Sequence, residues 1–272
     1  MQLDPRSMLL DKSPELDSNA IRTHFGAAAR HYDGFSSIQQ LTANRLVELI
    51  ADGVKSNRNG VLLDLGCGTG ATLGSYYPTY GGYCVGLDLT YRMLKKAGCL
   101  SSALQANMQQ LPIRNQSIDL LISNSACQWV TPALVVSEIQ RVLKPGSYAF
   151  LSLFVDGSLP ELKKNRILQR RVQKLPSEKQ WLNVIQESDL SLARKELLVH
   201  VQKFDTHKKL FNSIRGVGAS ISPEGHKYMG KEAYKSLFSD GANERQLSWR
   251  TLYLVLKKAS DDVDVNPVTK SI

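Results

Sequence analysis

An apolar stretch that ends in an acidic residue and continues directly into a glycine-rich loop is the feature that most constrains the fold of this chain. Residues 61–70 have the sequence VLLDLGCGTG. A strand buried in a parallel sheet is a short, nearly continuous apolar run, and glycine permits a tight turn and the close approach of a ligand. The helix after such a loop directs its unpaired N–H groups at the same cavity. The stretch therefore predicts a strand, a turn and a helix around a ligand site.

The glycine spacing by itself fits two classes of nucleotide-binding protein. Gly66, Gly68 and Ala71 fit the G-x-G-x-x-G/A pattern of NAD-binding proteins. Asp64 argues against that reading, because its carboxylate would lie near a bound pyrophosphate and repel it. The same carboxylate favours a cation such as S-adenosylmethionine, which has an ammonium, a sulfonium and no phosphate. The D-x-G-x-G-x-G order resembles the first motif of the class I methyltransferases.

A second carboxylate stands where a ribose-binding residue is expected. The apolar run at residues 83–88 ends in Asp88, about 20 residues after the loop, which is the spacing of a carboxylate that accepts both ribose hydroxyls. A helix N-terminal or solvent-facing acid is the alternative, and the loop favours the ribose role. The expected cofactor-binding residues are Asp64, Gly66, Cys67, Gly68, Gly70, Asp88, Leu89, Asn107, Met108 and Asn124.

Composition places the chain among ordinary globular proteins. Its 272 residues, 42% hydrophobic and 22% charged, allow one large domain or a domain with an insertion. No apolar run reaches the roughly 18 residues needed to span a bilayer, and the N-terminus does not resemble a secretory signal. The four cysteines show no C-x-x-C spacing, which indicates reduced thiols and no metal site. We expect a cytoplasmic protein without membrane contact.

The net charge of +9 indicates an anionic partner. Nucleic acid and an acidic protein would both satisfy this charge. No recognition-helix, RRM, KH or zinc-finger pattern is present, so we expect a protein partner and no nucleic acid.

The alternation of strand and helix patterns predicts an α/β fold. We expect a doubly wound, mostly parallel, seven-stranded, Rossmann-like sheet, with an N-terminal helical lid and a helical insert after the fifth strand. We expect residues 19–258 to form one domain, with 19–56 as the lid and 157–190 as the insert, and residues 1–18 and 259–272 to be flexible tails. The expected strands are 61–66, 83–88, 102–106, 118–123, 148–154, 192–204 and 247–256, and the expected helices are 21–33, 37–52, 90–98, 131–144, 206–215 and 231–238.

Several separated stretches resemble one methyltransferase family much more specifically than the glycine loop does. The similarity extends from about residue 20 to residue 257, and the chain is identified as a member of the malonyl-acyl-carrier-protein O-methyltransferases of biotin synthesis. The stretches are FGAAARHYD (25–33), IQQ (38–40), 64–70, SNSACQW (123–129), GSLPEL (157–162) and SIRGVGA (213–219).

The resemblance implies transfer of a methyl group from S-adenosylmethionine to the free carboxylate of a malonyl thioester on an acyl carrier protein. The products would be S-adenosylhomocysteine and the methyl ester that starts the pimeloyl moiety of biotin. A carboxylate is ionised at pH 7 and needs no general base, so proximity, alignment and exclusion of water carry the catalysis. Alternatives are a methyltransferase of a small-molecule acid or quinone precursor, a silent partner-binding protein and an NAD enzyme.

The family also implies roles near the reacting groups. Tyr32 belongs to a lid element that closes over the cofactor, although a packing tyrosine is the alternative. Gln128 would hydrogen-bond the substrate and Trp129 would form a pocket wall or pack in the core. Arg215 could clamp the malonyl carboxylate or interact with a helix C-terminus. Asn107 replaces the acidic residue that commonly accepts the adenine amino group, and Met108 would stack on adenine or pack in the core.

A basic stretch in the expected insert is the candidate partner site. Acyl carrier proteins are acidic, so a basic helical face could dock one electrostatically, whereas a merely solvated face is the alternative. We expect the protein to act as a monomer. The residues that recur at helical spacing are Lys163, Arg166, Arg170 and Lys174.

Overall fold

A seven-stranded sheet with helices on both faces forms the core of the computed structural model, which describes residues 18–53, 60–76, 80–98, 101–164, 169, 173–216, 235 and 245–260. The strand order is β3-β2-β1-β4-β5-β7-β6. The first five strands are parallel, and β7 is antiparallel to both of its neighbours. The predicted α/β, mostly parallel sheet is confirmed. The strands are β1 (Val61–Leu65), β2 (Tyr83–Asp88), β3 (Ser102–Gln105), β4 (Ile118–Asn124), β5 (Leu143–Phe154), β6 (Leu190–Lys203) and β7 (Gln246–Lys258).

The helices cover the two faces of the sheet, and successive residues of a strand therefore enter different cores. Leu62 packs with α2 and α3, whereas Leu63 packs with α5 and α7, as the two-residue period of a strand requires. No described helix combines the length and apolar composition of a membrane-spanning segment. The helices are α1 (Ser18–Ala28), α2 (Ser37–Gly53), α3 (Ala71–Tyr76), α4 (Tyr91–Leu94), α5 (Pro132–Val142), α6 (Pro160–Lys163), α7 (Glu178–Gln186) and α8 (His207–Gly216), with 3-10 turns at Tyr32–Gly34 and Cys127–Trp129.

The glycine loop after β1 has the backbone that its sequence predicts. Gly66, Gly68 and Gly70 have φ values of 75°, 54° and 82°, in the left-handed region that favours glycine. A Cβ atom on Gly66 would lie 2.4 Å from Cβ of Ala126, so the loop also packs too closely against the segment after β4 to admit a side chain. This contact holds the ends of β1 and β4 together beside the ligand site.

Several predicted boundaries differ from the structure. The helix expected at 21–33 starts at Ser18, which was expected in the tail, and ends at Ala28, before a 3-10 turn at Tyr32–Gly34.

The Lys144-Pro145-Gly146 stretch was expected to end a helix, with a strand from Tyr148 onward. Instead α5 ends at Val142, and β5 starts at Leu143 because that residue pairs with Ile118 of β4. The helix expected at 90–98 is wrong beyond Leu94, where the chain continues through short turns.

The predicted insert at 157–190 is helical only in parts. Within its described residues, α6 covers four residues and α7 nine, and residues 173–177 have no helical structure. Ser177 begins α7 with a capping box that it forms with Gln180. Nearly all of the helix expected at 231–238, with residue 235 as the described exception, lies outside the described residues, as do residues 1–17 and 261–272.

Candidate active site

Two adjoining cavities open where the parallel strands end at their carboxyl edge, the place where α/β sheets bind ligands. The larger, which we call the cofactor cleft, comprises about 680 Å³ of empty space that is continuous with solvent. The smaller, which we call the acceptor pocket, comprises about 440 Å³ of such space. The two cavities share the side chains of Phe25, Tyr32, Ser125 and Trp129. A group that passes from a ligand in one cavity to a ligand in the other must cross this shared wall.

The loops after four neighbouring strands and the N-terminal helix α1 form the cofactor cleft. Asp88 is the only charged side chain among the described residues that line it. The lining therefore offers no cation for a pyrophosphate and does suit a ligand with positive charge. Of the residues predicted to bind the cofactor, the cleft is lined by Gly66, Gly68, Asp88, Leu89, Asn107, Met108 and Asn124.

Asp88 is held against the glycine loop. Its Oδ2 accepts a hydrogen bond from the Gly68 N–H at 3.0 Å, and its Oδ1 accepts one from the Thr90 N–H at 2.7 Å. Burial raises the pKa of Asp88, while these two backbone donors act in the opposite direction. The carboxyl is therefore fixed at the end of β2 with its orientation set by the loop.

Asp64 lies behind the loop and does not line the cleft. Its side chain is buried, and its Oδ2 has no hydrogen-bond partner among the described residues. Burial, together with the charge of Asp88, raises the pKa of Asp64 to about 8. A buried carboxyl oxygen without a partner is costly, and a nearby positive charge would stabilise the ionised form of the group. Asp64 and Asp88 thus fit a cationic cofactor such as S-adenosylmethionine.

The far end of the cleft is formed by the segment after β3. Oδ1 of Asn107 already accepts a hydrogen bond from the Gln109 N–H at 3.0 Å, and its Nδ2 donates to Oγ of Ser18 at 3.4 Å. The amide oxygen keeps a second lone pair for a ligand. Asn107 thereby joins the floor of the cleft to the start of α1.

The N-terminal segment covers the cleft and is tied down at its end. Oδ1 of Asp33 accepts a hydrogen bond from Oγ1 of Thr69 in the glycine loop at 2.6 Å. Lys96 Nζ lies 3.9 Å from Oδ2 of Asp33 and donates to the Arg30 carbonyl at 3.0 Å. We call these contacts the lid latch. They hold residues 30–33 over the loop that carries the cofactor site.

Tyr32 is half-buried within the shared wall. Burial and the charges of Asp88 and Asp33 all raise the pKa of Tyr32, so its hydroxyl keeps its proton at neutral pH and can donate a hydrogen bond. Phe25 contacts this ring and that of Trp129 edge to face, with ring centroids 6.5 Å and 5.5 Å apart. The aromatic cluster shields the boundary between the cavities from water.

The acceptor pocket is aromatic and apolar with a few amides. No Lys, Arg or His side chain occurs among the described residues that line it. A group of carboxyl, thiol or imidazole side chains able to hold a metal is likewise absent from the described part of the chain. The lining residues are Phe25, Tyr32, Gln39, Ser125, Gln128, Trp129, Phe154, Leu159, Gln173, Leu175 and Trp249.

The segment after β4 is rigidly held. Ser125 has a φ of 52°, a backbone strain that is uncommon for a residue with a side chain. Nε2 of Gln128 donates to the Ser125 carbonyl at 2.7 Å, and Oε1 of Gln128 has no partner among the residues that the structure describes. Asn124 accepts from Oγ1 of Thr42 at 2.9 Å and donates to the Gln39 carbonyl at 2.9 Å. Asn124 therefore joins α2 to the sheet as well as lining the cleft.

Comparison with known proteins identifies the relatives of this chain. A methyltransferase domain family matches residues 63–151. A malonyl-[acyl-carrier protein] O-methyltransferase of Hamiltonella defensa is 33% identical over 219 residues, which cover 78% of this chain and 82% of the relative. The protein of the same name from Buchnera aphidicola is 31% identical and covers 89% of this chain and 99% of its own length. The chain belongs to the malonyl-[acyl-carrier protein] O-methyltransferase family.

Solved structures show the same fold at much lower identity. The Bacillus subtilis YcgJ protein superimposes with a TM-score of 0.56 at 18% identity, over 80% of this chain and 99% of that one. A geranyl diphosphate methyltransferase in complex with SAM gives 0.54 at 12% identity, over 81% and 85% of the two chains. The methyltransferase fold is therefore shared well beyond the family.

Not every predicted site residue of this family member lies in the two cavities. Tyr32 and Trp129 lie in the shared wall and Gln128 in the acceptor pocket. Cys67 and Gly70 lie in the loop but do not line the cleft. Arg215 lies in α8 with its side chain outside the described residues.

The predicted basic face does not form along one helix. The helix that carries Lys163 ends there, and Lys174 lies in a segment without helical structure. Nζ of Lys163 is paired with Oδ1 of Asp156 at 2.9 Å. Arg166 and Arg170 lie outside the described residues. The described residues therefore do not place Lys163 and Lys174 on one helix, and a role of the four residues in docking a partner stays a prediction.

Several residues that line the acceptor pocket were not predicted from the sequence. Phe25 lies within a stretch that resembled the family, so that signal could have found it. Gln173 and Trp249 carried no such signal, because Gln173 lies in the basic insert and Trp249 follows the pattern of a core strand. Trp249 lies on β7, where it pairs with His200 of β6, and it reaches the pocket through the antiparallel addition of these strands to the sheet.

Proposed function

We propose that this protein transfers the methyl group of S-adenosylmethionine to the free carboxylate of a malonyl thioester carried by an acyl carrier protein. The products are the malonyl methyl ester and S-adenosylhomocysteine, and the ester supplies the pimeloyl moiety of biotin. The observation that carries the proposal is the aromatic wall shared by the two cavities. The names of the relatives support the choice of substrate.

The cofactor cleft has the residues that S-adenosylmethionine requires. Asp88 would accept the ribose hydroxyls, Asn107 and Met108 would hold the adenine, and Asp64 would balance the positive charge from behind the loop. The bound cofactor supplies a methyl group activated by a sulfonium. No metal takes part in this proposal.

The acceptor carboxylate needs positioning more than chemical activation. It is ionised at neutral pH and is itself the nucleophile, so the chain has no proton to remove. The protonated hydroxyl of Tyr32 would orient it at the wall by a hydrogen bond. Phe25 and Trp129 would exclude water, which otherwise weakens a carboxylate as a nucleophile. Alignment across the wall then provides most of the rate enhancement.

The neutral lining of the acceptor pocket serves the same purpose. A cation in direct contact with the carboxylate would hold it in place but lower its reactivity, and none is present among the described lining residues. Arg215 of α8 is proposed to attract the malonyl carboxylate to the protein.

The carrier protein would approach the acceptor pocket from the side of the insert. Carrier proteins are acidic, and the chain has a net charge of +9. Lys163, Arg166, Arg170 and Lys174 are proposed to contact the carrier as a basic surface rather than as one helical face. The protein would act as a cytoplasmic monomer, with residues 19–56 as its lid and 157–190 as its docking insert.

Methyl transfer from labelled cofactor to three acceptors tests this function. We expect rapid transfer to malonyl-acyl carrier protein, slower transfer to malonyl-CoA and very little to free malonate. Equal or faster transfer to free malonate would favour a small-molecule acid as the substrate. Cofactor binding without transfer to any malonyl compound would contradict the proposed substrate.

A further inference from the structure

Several residues that line the acceptor pocket have a buried polar atom without a hydrogen-bond partner among the described residues. Among the described residues, ten buried side-chain atoms lack a partner, and four of them belong to residues that line this pocket. Such atoms cost free energy unless something pairs with them, so their concentration in one cavity points to a polar ligand. They are Oε1 of Gln39, Gln128 and Gln173 and Nε1 of Trp249.

The hydrogen-bonding character of three of these atoms is fixed. Gln128 and Gln173 each donate from Nε2 to a backbone carbonyl, at 2.7 Å to Ser125 and at 3.1 Å to Lys174. Their Oε1 atoms are therefore acceptors in need of a donor. The indole N–H of Trp249 is a donor only. The pocket thus offers a neutral donor and neutral acceptors, which suit an amide-bearing thioester better than a charged ligand.

One of these residues is tied to the shared wall. Gln128, Gln173 and Trp249 all line the acceptor pocket and not the cofactor cleft, and Gln128 donates its hydrogen bond to Ser125 of the wall. In the proposed substrate the reacting carboxylate must lie at the wall. The thioester carbonyl follows it, and then the first amide N–H of the pantetheine arm. We therefore assign Gln128 to the carboxylate end of the substrate, and Gln173 and Trp249 to the groups that follow.

We propose that Trp249 and Gln173 determine specificity for the thioester arm. Nε1 of Trp249 donates a hydrogen bond to the thioester carbonyl, and Oε1 of Gln173 accepts one from the first amide N–H of the arm. Trp249 is well held for this role, since it is 3% exposed and its ring packs on Phe154 with centroids 4.7 Å apart. The inference rests on the proposed function, because it assumes a malonyl thioester in this pocket.

Two small acceptors test the hydrogen bond to the amide N–H separately from the other contacts in the pocket. The malonyl thioester of N-acetylcysteamine has the amide N–H, and the malonyl thioester of butanethiol lacks it. A site built to pair with a polar group discriminates against the analogue without it, so we expect kcat/KM to favour the first by about tenfold. Gln173→Leu brings this ratio close to one, mainly by raising KM for the first acceptor. Gln202→Leu is the control, because its Oε1 also lacks a partner but the residue lies on β6 outside the pocket.

The contact of Trp249 is measured by the ¹⁵N–¹H signals of the indole groups. With S-adenosylhomocysteine bound, addition of the N-acetylcysteamine thioester moves the Trp249 indole proton downfield, as a new hydrogen bond does. The Trp181 signal stays in place, since Trp181 is equally buried with an unpaired Nε1 but packs in the core under α7. Trp249→Phe lowers kcat/KM for both thioesters by about tenfold, and Trp181→Phe leaves it unchanged.

Either of two results overturns the inference. One is an unchanged acceptor ratio in folded Gln173→Leu protein. The other is a Trp249 indole signal that does not move when the thioester binds. If the wild-type protein methylates neither small thioester, transfer to malonyl-acyl carrier protein decides the proposed function separately, and the indole measurement decides whether this pocket binds the arm.

Discussion

The buried carboxyl of Asp64 predicts that cofactor binding releases a proton. The pKa of this group is raised to about 8 by burial and by the charge of Asp88, so at pH 6.5 only about 3% of it is ionised. A cation in the cleft favours the ionised form. The amino group of S-adenosylmethionine, comparable to an α-amino group of pKa about 8, remains protonated at this pH. About one proton should therefore leave for each cofactor bound.

The same reasoning sets the pH dependence of affinity. Because binding requires the ionised carboxyl, the Kd should fall about tenfold between pH 6 and pH 7 and level off near pH 8. Titration calorimetry at pH 6.5 in buffers of different ionisation enthalpy counts the released protons directly. The Asp64→Asn variant should bind the cofactor more weakly and release almost no protons on binding. Asp88→Asn is the matched control, since this variant loses the proposed ribose contact but should still release a proton from Asp64 when the cofactor binds.

In the cofactor-free protein, the raised pKa of Asp64 should make the free energy of unfolding depend on pH. The folded pKa of Asp64 lies above its unfolded value of about 4, so between about pH 4 and pH 8 the folded state binds more protons than the unfolded state. Stability should fall as the pH rises through this window, and Asp64→Asn should remove the decline. No proton release by the wild type, or the same release by Asp64→Asn, would refute the reasoning.

Three further predictions concern the loop, the latch and the wall. Gly66→Ala should lower the free energy of unfolding by about 2 kcal/mol more than Gly68→Ala does. Both positions have positive φ, but of the two only Gly66 lacks room for a Cβ atom. Equal losses of stability in chemical denaturation would contradict this. Asp33→Asn, which weakens the lid latch, should raise the Kd for S-adenosylhomocysteine several-fold and increase proteolysis near residue 30; unchanged cutting would count against a latch. Tyr32→Phe should lower kcat about tenfold or more while the Kd for the cofactor changes little. A variant that changes only cofactor binding would show that Tyr32 does not orient the acceptor carboxylate.

The parts of the site that lie close together in sequence could be predicted from sequence. The run before Asp64, the glycines after it and the spacing to Asp88 are local signals, and they gave β1, the loop and the end of β2 correctly. Gly66 and Gly68 line the cleft. The tight turn that only glycine forms easily is the property from which the sequence analysis predicted the site.

The parts that depend on distant pairing could not be predicted in this way. Leu143 enters the sheet early because of Ile118, although Pro145 and Gly146 indicate only where a helix stops. Trp249 reaches the acceptor pocket through the order of strands at the far edge of the sheet. Local residue types carry no information on such contacts, because they arise when the whole sheet assembles.

Mass spectrometry of the carrier protein's pantetheine arm tests the central claim most directly. After incubation with cofactor, malonyl-acyl carrier protein should carry one added methyl group, located on the malonyl carboxylate and removed by mild alkali as an ester. Acetyl-acyl carrier protein, which lacks the carboxylate, should remain unmodified. An unmodified malonyl arm in the presence of bound cofactor, or a methyl group located elsewhere, would contradict the account.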